Sequence, residues 1–320
     1  MSPTTSRRTL SRSLLPVACR SLRSLRSAVC RSLLPIAYCL LPAVPALAQD
    51  DGVLLRFNYE ESETLVYHTT LTGAGSIKVL GQDQPINLEG SLDSILQVES
   101  VDADGNYTVL SSYDNVDVSV KVSNQPMDVP LALPTLRFVM TPAGAVSDVA
   151  PVAEEEAGQA GQGMAGMIAS SLNLESLLEG IKLAPFPEDA VKPGDEWDAA
   201  VPVLATADDD DTREVKLHAQ YVGNEELLGH QCVKLASTSE MPLGGAGGEA
   251  GIFTLEGTST TQAVVWFDPD AGRVIANTAT TNLEITLGPV VALPGGQEQV
   301  PVFAEIVADT ETTLVAPENQ

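Results

Sequence analysis

Cysteine is nearly missing from this sequence once its first 48 residues are set aside. Of four Cys, three (Cys19, Cys30 and Cys39) fall in that stretch and Cys232 stands alone. One thiol excludes an internal disulfide for the rest of the chain. Histidine is equally scarce. His68, His218 and His230 are the only three, and no two have the spacing of a metal-ligand pair. Aromatics make up 4% of the residues. After residue 48 no apolar run reaches the length of a membrane-spanning helix. A G-x-S-x-G elbow, a P-loop and a dinucleotide fingerprint are all lacking, which removes the sequence grounds for the common nucleotide and serine chemistries. No cofactor is implied.

Basic residues are few and unevenly placed. Seven of the 17 Lys and Arg are Arg7, Arg8, Arg12, Arg20, Arg23, Arg26 and Arg31, and no acid occurs before Asp50. An apolar stretch follows from Leu33 to Ala48 and ends in Ala46-x-Ala48. A positive region, an apolar region and small residues before a cut predict a signal peptide over 1–48, cleaved after Ala48. The apolar stretch is short and broken by Pro35, Pro42 and Pro45, so it does not read as a membrane anchor. The expected site of action is the periplasm or the extracellular space. Without the leader, 10 basic residues face 43 acidic ones, a net −33. Such a surface repels nucleic acid and anionic lipid heads. The plain reading is a solvated, salt-tolerant exterior.

Strand patterns dominate after residue 52. "VDVSVKV" at 116–122 alternates Val116, Val118, Val120 and Val122 with polar residues, and "LEITL" at 283–287 alternates Leu283, Ile285 and Leu287. Turn signals separate such runs at Asp104-Gly105, Pro142-Ala143-Gly144, Gly244-Gly245 and Asp270-Ala271-Gly272. Period-2 strands with short turns predict antiparallel pairing with one face buried. Three landmarks recur in the same order. "YEESETL" (59–65) has the shape of "AVKPGDEW" (190–197), the Gly105 turn that of the Gly229 turn, and "FVMTPAGAV" (138–146) that of "WFDPDAGRV" (266–274). Near-constant spacing predicts an internal duplication. The expected organisation is β module 1 over 49–150, a linking segment over 151–187, and β module 2 over 188–320.

The linking segment has its own texture. Residues 152–171 are rich in Gly, Ala and Gln. Then Leu174, Leu177, Leu178 and Ile181 fall at i, i+3, i+4 and i+7, one apolar helical stripe, with Asn173 as cap and Pro185 and Pro187 as stops. The predicted fold class is mainly β with a bridging helix (α+β): two related curved antiparallel β modules. The stripe reads either as a face packed on a sheet or as a lid over an apolar cavity.

"FPEDAVKPGDEW" (186–197), "YVGNEELLGHQCVKL" (221–235) and "VVWFDPDAGRVI" (264–275) resemble a family of exported bacterial β-rich proteins of uncharacterised function. Its members carry F-P…V-K-x-G-D-x-W, G-x-x-C-x-K-L and W-F-D…G stretches. The hairpins are also similar to the lipoprotein-carrier half-barrels of the bacterial periplasm. That likeness implies a curved antiparallel sheet that wraps helices and holds acyl chains.

Candidate chemistry is sparse. His230 and Cys232 share a strand at i, i+2, but a dyad needs an orienting third group. A turn histidine and a buried Cys explain the same letters. Asp208, Asp209, Asp210 and Asp211 form the densest charge run, a solvated loop or a loose cation site. "DADGN" at 102–106 places Gly wrongly for a Ca²⁺ loop and reads as a hairpin turn. Trp197 and Trp266 read as core anchors. The ligand-binding candidates are Leu174, Leu177, Leu178 and Ile181; no catalytic residue stands out. Three readings remain: a non-enzymatic binding or structural protein of the cell envelope, a periplasmic carrier of an apolar lipid-like ligand, and a hydrolase without a recognisable motif. The expected partners are an apolar ligand or an envelope protein, with no nucleic acid and no stable membrane span.

Overall fold

Alternating apolar and polar residues bury one side of an extended chain and leave the other wet, and here that alternation runs for unusually long stretches. The computed structural model describes residues 52–79, 81–127, 133, 135–152, 184–203, 213–247, 253–289 and 302–315. Among them lie twelve strands: β1 (Thr64–Val79), β2 (Gln82–Val101), β3 (Tyr107–Val122), β4 (Gln125–Met127), β5 (Leu136–Met140), β6 (Val146–Pro151), β7 (Glu196–Val203), β8 (Arg213–Leu227), β9 (His230–Gly247), β10 (Phe253–Asp268), β11 (Arg273–Pro289) and β12 (Val302–Val315). All belong to one antiparallel sheet in the order β6-β5-β3-β2-β1-β12-β11-β10-β9-β8-β7, with β4 on the end of β3. No helix occurs among the described residues. The predicted helix at 172–182 and the Asp208–Asp211 run lie outside them.

The sheet is two meanders joined side by side. β1 to β6 run outward from the middle in chain order, β7 to β12 run inward, and β1 pairs with β12 from Val66↔Val315 to Lys78↔Phe303. Gln49–Gln320 is accordingly a single unit. Strands of 14 to 20 residues far exceed the usual five or six. At about 3.3 Å per residue, β2 extends on the order of 60 Å.

One face is closed to water along this length. On β1 it carries Leu65, Tyr67, Thr69, Leu71 and Ile77; on β2, Ile86, Leu88, Leu92 and Val98; on β10, Thr261, Ala263, Val265 and Phe267; on β12, Ile306, Ala308 and Thr312. Their outward neighbours, among them His68, Thr70, Glu89, Gln262, Glu305 and Asp309, are exposed. The sheet is open and curved, and glycines permit the bends. A Cβ on Gly75 would lie 2.0 Å from the Glu305 carbonyl, and one on Gly257 would lie 2.1 Å from the Glu284 carbonyl. Glu284 and Glu305 are cross-strand partners, so β1 and β10 close in from either side of one rung. Only residues without a side chain permit that approach.

Three sequence expectations are corrected here. Val116 does not share a face with Val118, Val120 and Val122. The β2–β3 register shifts between Ser91 and Asp93, Asn115 takes φ 51°, and Val116 is left exposed. A bulge of this kind exchanges inward and outward positions beyond it. Gly244-Gly245 is not a turn. Both residues sit within β9, paired with Glu256 and Leu255. Trp266 is not a core anchor. Inward positions on β10 are the odd-numbered ones, so Trp266 faces out between Val265 and Phe267. Its indole N–H donates to Glu225 Oε2 (3.1 Å), and Lys234 Nζ lies 5.1 Å from its ring centre.

Candidate functional site

Among the described residues the inner face is the extended apolar surface, and its construction begins at one end. Residues 52–63 precede β1 and cross that end as a strap. Leu55, Phe57 and Tyr59 alternate inward and are buried. The strap is tied by backbone bonds to segments far away in sequence: Phe57 N–H to the Pro142 carbonyl (2.8 Å), Asn58 N–H to the Gly272 carbonyl (3.0 Å), and a two-way bridge between Val53 and Val191. The Arg56 guanidinium donates to the carbonyls of Pro187 (2.6 Å) and Glu188 (2.8 Å). Arg273 holds Glu63 at 2.7 Å. Phe186 N–H reaches the Ala143 carbonyl at 2.7 Å. These ties bring the β5–β6 turn on one flank of the sheet to the segment leading into β7 on the other.

Aromatic rings fill the space so enclosed. Phe57 stacks on Phe186 (5.3 Å between centroids) and meets Phe267 edge-on (5.4 Å), and Phe186 meets Phe267 at 4.8 Å. Tyr59 tilts against Tyr107 at 5.2 Å. Buried phenols need partners. Tyr107 donates to the Phe57 carbonyl (2.9 Å) and Tyr67 to the Val274 carbonyl (3.2 Å). Burial holds the Tyr59 and Tyr67 hydroxyls well above their ordinary pKa, so both stay neutral.

Beyond this plug the inner face changes texture twice. Its middle carries small hydroxyl and methyl groups: Thr69, Ser111, Ser237, Thr261, Ala263, Thr281, Ala308 and Thr312. Thr69 Oγ1 meets Thr312 Oγ1 at 3.0 Å, and Thr261 Oγ1 meets Thr281 Oγ1 at 3.0 Å. Farther on the face is aliphatic, with Leu71, Ile77, Ile86, Leu88, Leu92, Val120, Leu283, Ile285 and Ile306 in one cluster. The ligand candidates read from sequence (Leu174, Leu177, Leu178 and Ile181) and the acidic run Asp208–Asp211 lie outside the described residues. The lining that the structure does show comes from β-strand positions, which the sequence marks only as ordinary core.

Each of the three histidines pairs with an acid. Each is held through Nδ1 by an aspartate: His68 by Asp93 (2.7 Å), His218 by Asp198 (2.8 Å) and His230 by Asp268 (2.7 Å). The Cys232 thiol donates to the His230 backbone carbonyl (3.7 Å), not to the ring. Burial, aided by the Asp268 charge, pushes that thiol up to about 11, so it is protonated at neutral pH and inert. Among the described residues no group of three His, Cys, Asp or Glu is placed to hold a metal ion. The Asp102 carboxylate accepts the N–H groups of Asp104 (2.9 Å) and Asn106 (2.8 Å), which fixes the 102–106 hairpin turn.

These pairs predict an acid-sensitive fold. Burial alone would raise the Asp268 carboxyl. The N–H groups of Ala271 and Asp270 and the His230 ring outweigh it and hold the carboxyl below its ordinary range. Asp93 is likewise held low, by the Asn115 amide and then His68. A folded pKa below the unfolded one gives stability that is present above the unfolded value and lost as pH falls through the folded one. Thermal melts of the native protein should therefore drop as pH falls through and below the ordinary aspartate value of about 4. Asp268→Asn should melt lower than the native protein at pH 7, with the gap narrowing over that fall in pH. A gap independent of pH would contradict the assignment.

No protein-family model and no curated protein matches this chain. Among solved structures it is similar to lipovitellin, from a study of its lipid–protein interactions, at a TM-score of 0.42 and 10% identity over 81% of this chain. The chain spans 26% of that protein's length. It is also similar to a DUF1329 family protein from Desulfovibrio piger, at a TM-score of 0.16 and 12% identity over 79% of this chain and 87% of that one.

Proposed function

We propose that this chain is a non-enzymatic binding protein that holds an elongated apolar, lipid-like molecule along the inner face of its sheet, outside the cytoplasm after cleavage behind Ala48. The observation that carries the reading is the face itself. It is long and curved, sealed at one end by the strap and its aromatic plug, and built of hydroxyl, methyl and aliphatic groups beyond it. Lipid-holding sheets need apolar side chains aimed inward over a length matching the ligand, with few polar groups to orient it. The outward face carries the acids, which keep the whole in solution.

The same reading takes the two meanders as copies of one module. Each begins with a strand, turns at a glycine of positive φ (Gly105 at 83°, Gly229 at 85°), and later turns at a second (Gly144 at 85°, Gly272 at 64°). The surroundings of the pairs support it. Added Cβ atoms at Gly105 and Gly229 would meet little or nothing, whereas those at Gly144 and Gly272 would strike adjacent strap residues, Phe57 and Asn58.

The test is direct. Folded protein titrated with a long-chain apolar fluorescent probe should bind it saturably, at one molecule per chain or a small fixed number. Solvent extraction of protein purified without detergent should release a lipid-like molecule detectable by mass spectrometry. Unsaturable binding, together with an empty extract, would overturn the proposal.

A further inference from the structure

We infer, resting on the binding reading above, that the inner face selects an uncharged ligand, a neutral lipid bearing hydroxyl or ester groups, over an anionic one of the same chain length. The ground is the register of the sheet. On β1 the inward positions run Leu65, Tyr67, Thr69, Leu71, Gly73, Gly75, Ile77; on β2, Ile86, Leu88, Gly90, Leu92, Ser94, Leu96, Val98. Those of β12 run Val302, Ala304, Ile306, Ala308, Thr310, Thr312, Leu314. No Asp, Glu, Lys, Arg or His occupies an inward register position on β1, β2, β3, β9, β10, β11 or β12 among the described residues. On β8 the register shift between Tyr221 and Gly223 gives Glu226 that parity; it is exposed near the strand's end and pairs with Gln231.

Burial is expensive for a charge that finds no partner. A phosphate or carboxylate drawn onto this face would meet neither a cation nor a cluster of free N–H donors. A carboxylic acid could enter only by taking up a proton; a phosphodiester cannot do so near neutral pH. The hydroxyl belt has the complementary chemistry. A threonine pair spends one O–H on its own bond and keeps the other as a donor. The Thr69–Thr312 and Thr261–Thr281 pairs therefore suit a neutral acceptor, an ester carbonyl or a hydroxyl oxygen. The buried Tyr67 and Tyr107 hydroxyls are already given to backbone carbonyls and do not compete.

The experiment compares one acyl chain in four forms against the mature protein at pH 7.5: the long-chain alcohol, its methyl ester, the free carboxylate and the alkyl phosphate. Each displaces the same bound apolar probe. The alcohol and ester should compete at least tenfold better than the carboxylate, and the phosphate should compete worst. Carboxylate binding should improve as pH falls toward 5. The double variant Thr69→Val with Thr312→Val preserves shape. It should weaken the ester severalfold relative to a plain alkane probe measured on the same variant. A carboxylate or phosphate that binds as tightly as the alcohol would overturn the charge selection while leaving the binding reading intact. An ester affinity unchanged in the double variant would overturn the role of the hydroxyls. Failure of all four forms and of the probe would sink the binding reading itself.

Discussion

Phe57→Ala is expected to destabilise the protein by about 3–5 kcal/mol, the range for emptying a buried aromatic site. Nothing in its local sequence sets Phe57 apart from Leu54, three residues earlier, which is half exposed. The difference is what each touches. Phe57 contacts Phe186, Phe267 and Tyr59, which come from three separate places in the chain. Its backbone N–H and carbonyl are also engaged, by Pro142 and Tyr107. Those backbone bonds survive the substitution, so the loss is that of the ring and of the cavity left behind. At roughly 2–4 °C per kcal/mol for a domain of this size, the melting temperature should fall on the order of 10 °C. Leu54→Ala should move it by little, as surface changes usually do. Equal behaviour of the two variants would mean that the strap does not belong to the core. Because the plug seals one end of the inner face, Phe57→Ala should also raise the fluorescence of an apolar dye at temperatures where the sheet remains folded.

The strap shows where sequence reading stops. Strands such as Leu283–Ile285 and Val118–Val122 announce themselves, because alternation is a local property and one side of each strand is wet. The turns at Gly105, Gly144 and Gly272 are equally local, since a positive φ selects glycine. Leu55-Arg56-Phe57-Asn58-Tyr59 alternates as well, yet its partners lie as far along the chain as Gly272, whose carbonyl accepts the Asn58 N–H. No local pattern points to them. Trp266 escapes sequence reading for a different reason. In Val264-Val265-Trp266-Phe267 every residue is apolar, so alternation gives no phase, and only the pairing of β10 with β9 and β11 decides which side is buried. The inner face was partly legible. Its apolar and hydroxyl residues can be found from periodicity, but that they line one continuous surface depends on β1 pairing with β12 across some 240 residues. That contact joins the two meanders, and neither meander can encode it by itself.

Gly272→Ala is expected to destabilise far more than Gly229→Ala, although both replace a turn glycine of positive φ. The shared part is conformational. An L-residue at φ 64° or 85° costs about 1 kcal/mol relative to glycine. At Gly229 nothing lies within 4 Å of an added methyl, so that cost should be the whole effect. At Gly272 the methyl would come within 2.5 Å of both the backbone nitrogen and the Cβ of Asn58, and 3.0 Å of the Arg56 carbonyl. Backbone cannot rotate aside as a side chain can, so the strap must shift. The Asn58 N–H bond to the Gly272 carbonyl and the packing of Phe57 and Tyr59 shift with it. Overpacking of this kind adds roughly 1–3 kcal/mol, for a total of about 2–4 kcal/mol. Gly144→Ala should lie nearby, since its methyl would meet the Phe57 ring at 2.7 Å. Denaturant melts of the three single variants and of the Gly272→Ala/Phe57→Ala pair separate the terms. If the clash acts through the strap, the pair should cost less than the sum of its singles, because a smaller residue 57 lets the strap yield. Strict additivity, or equal effects at Gly229 and Gly272, would show that the β10–β11 turn does not press on the strap and that the sealed end is held by other contacts.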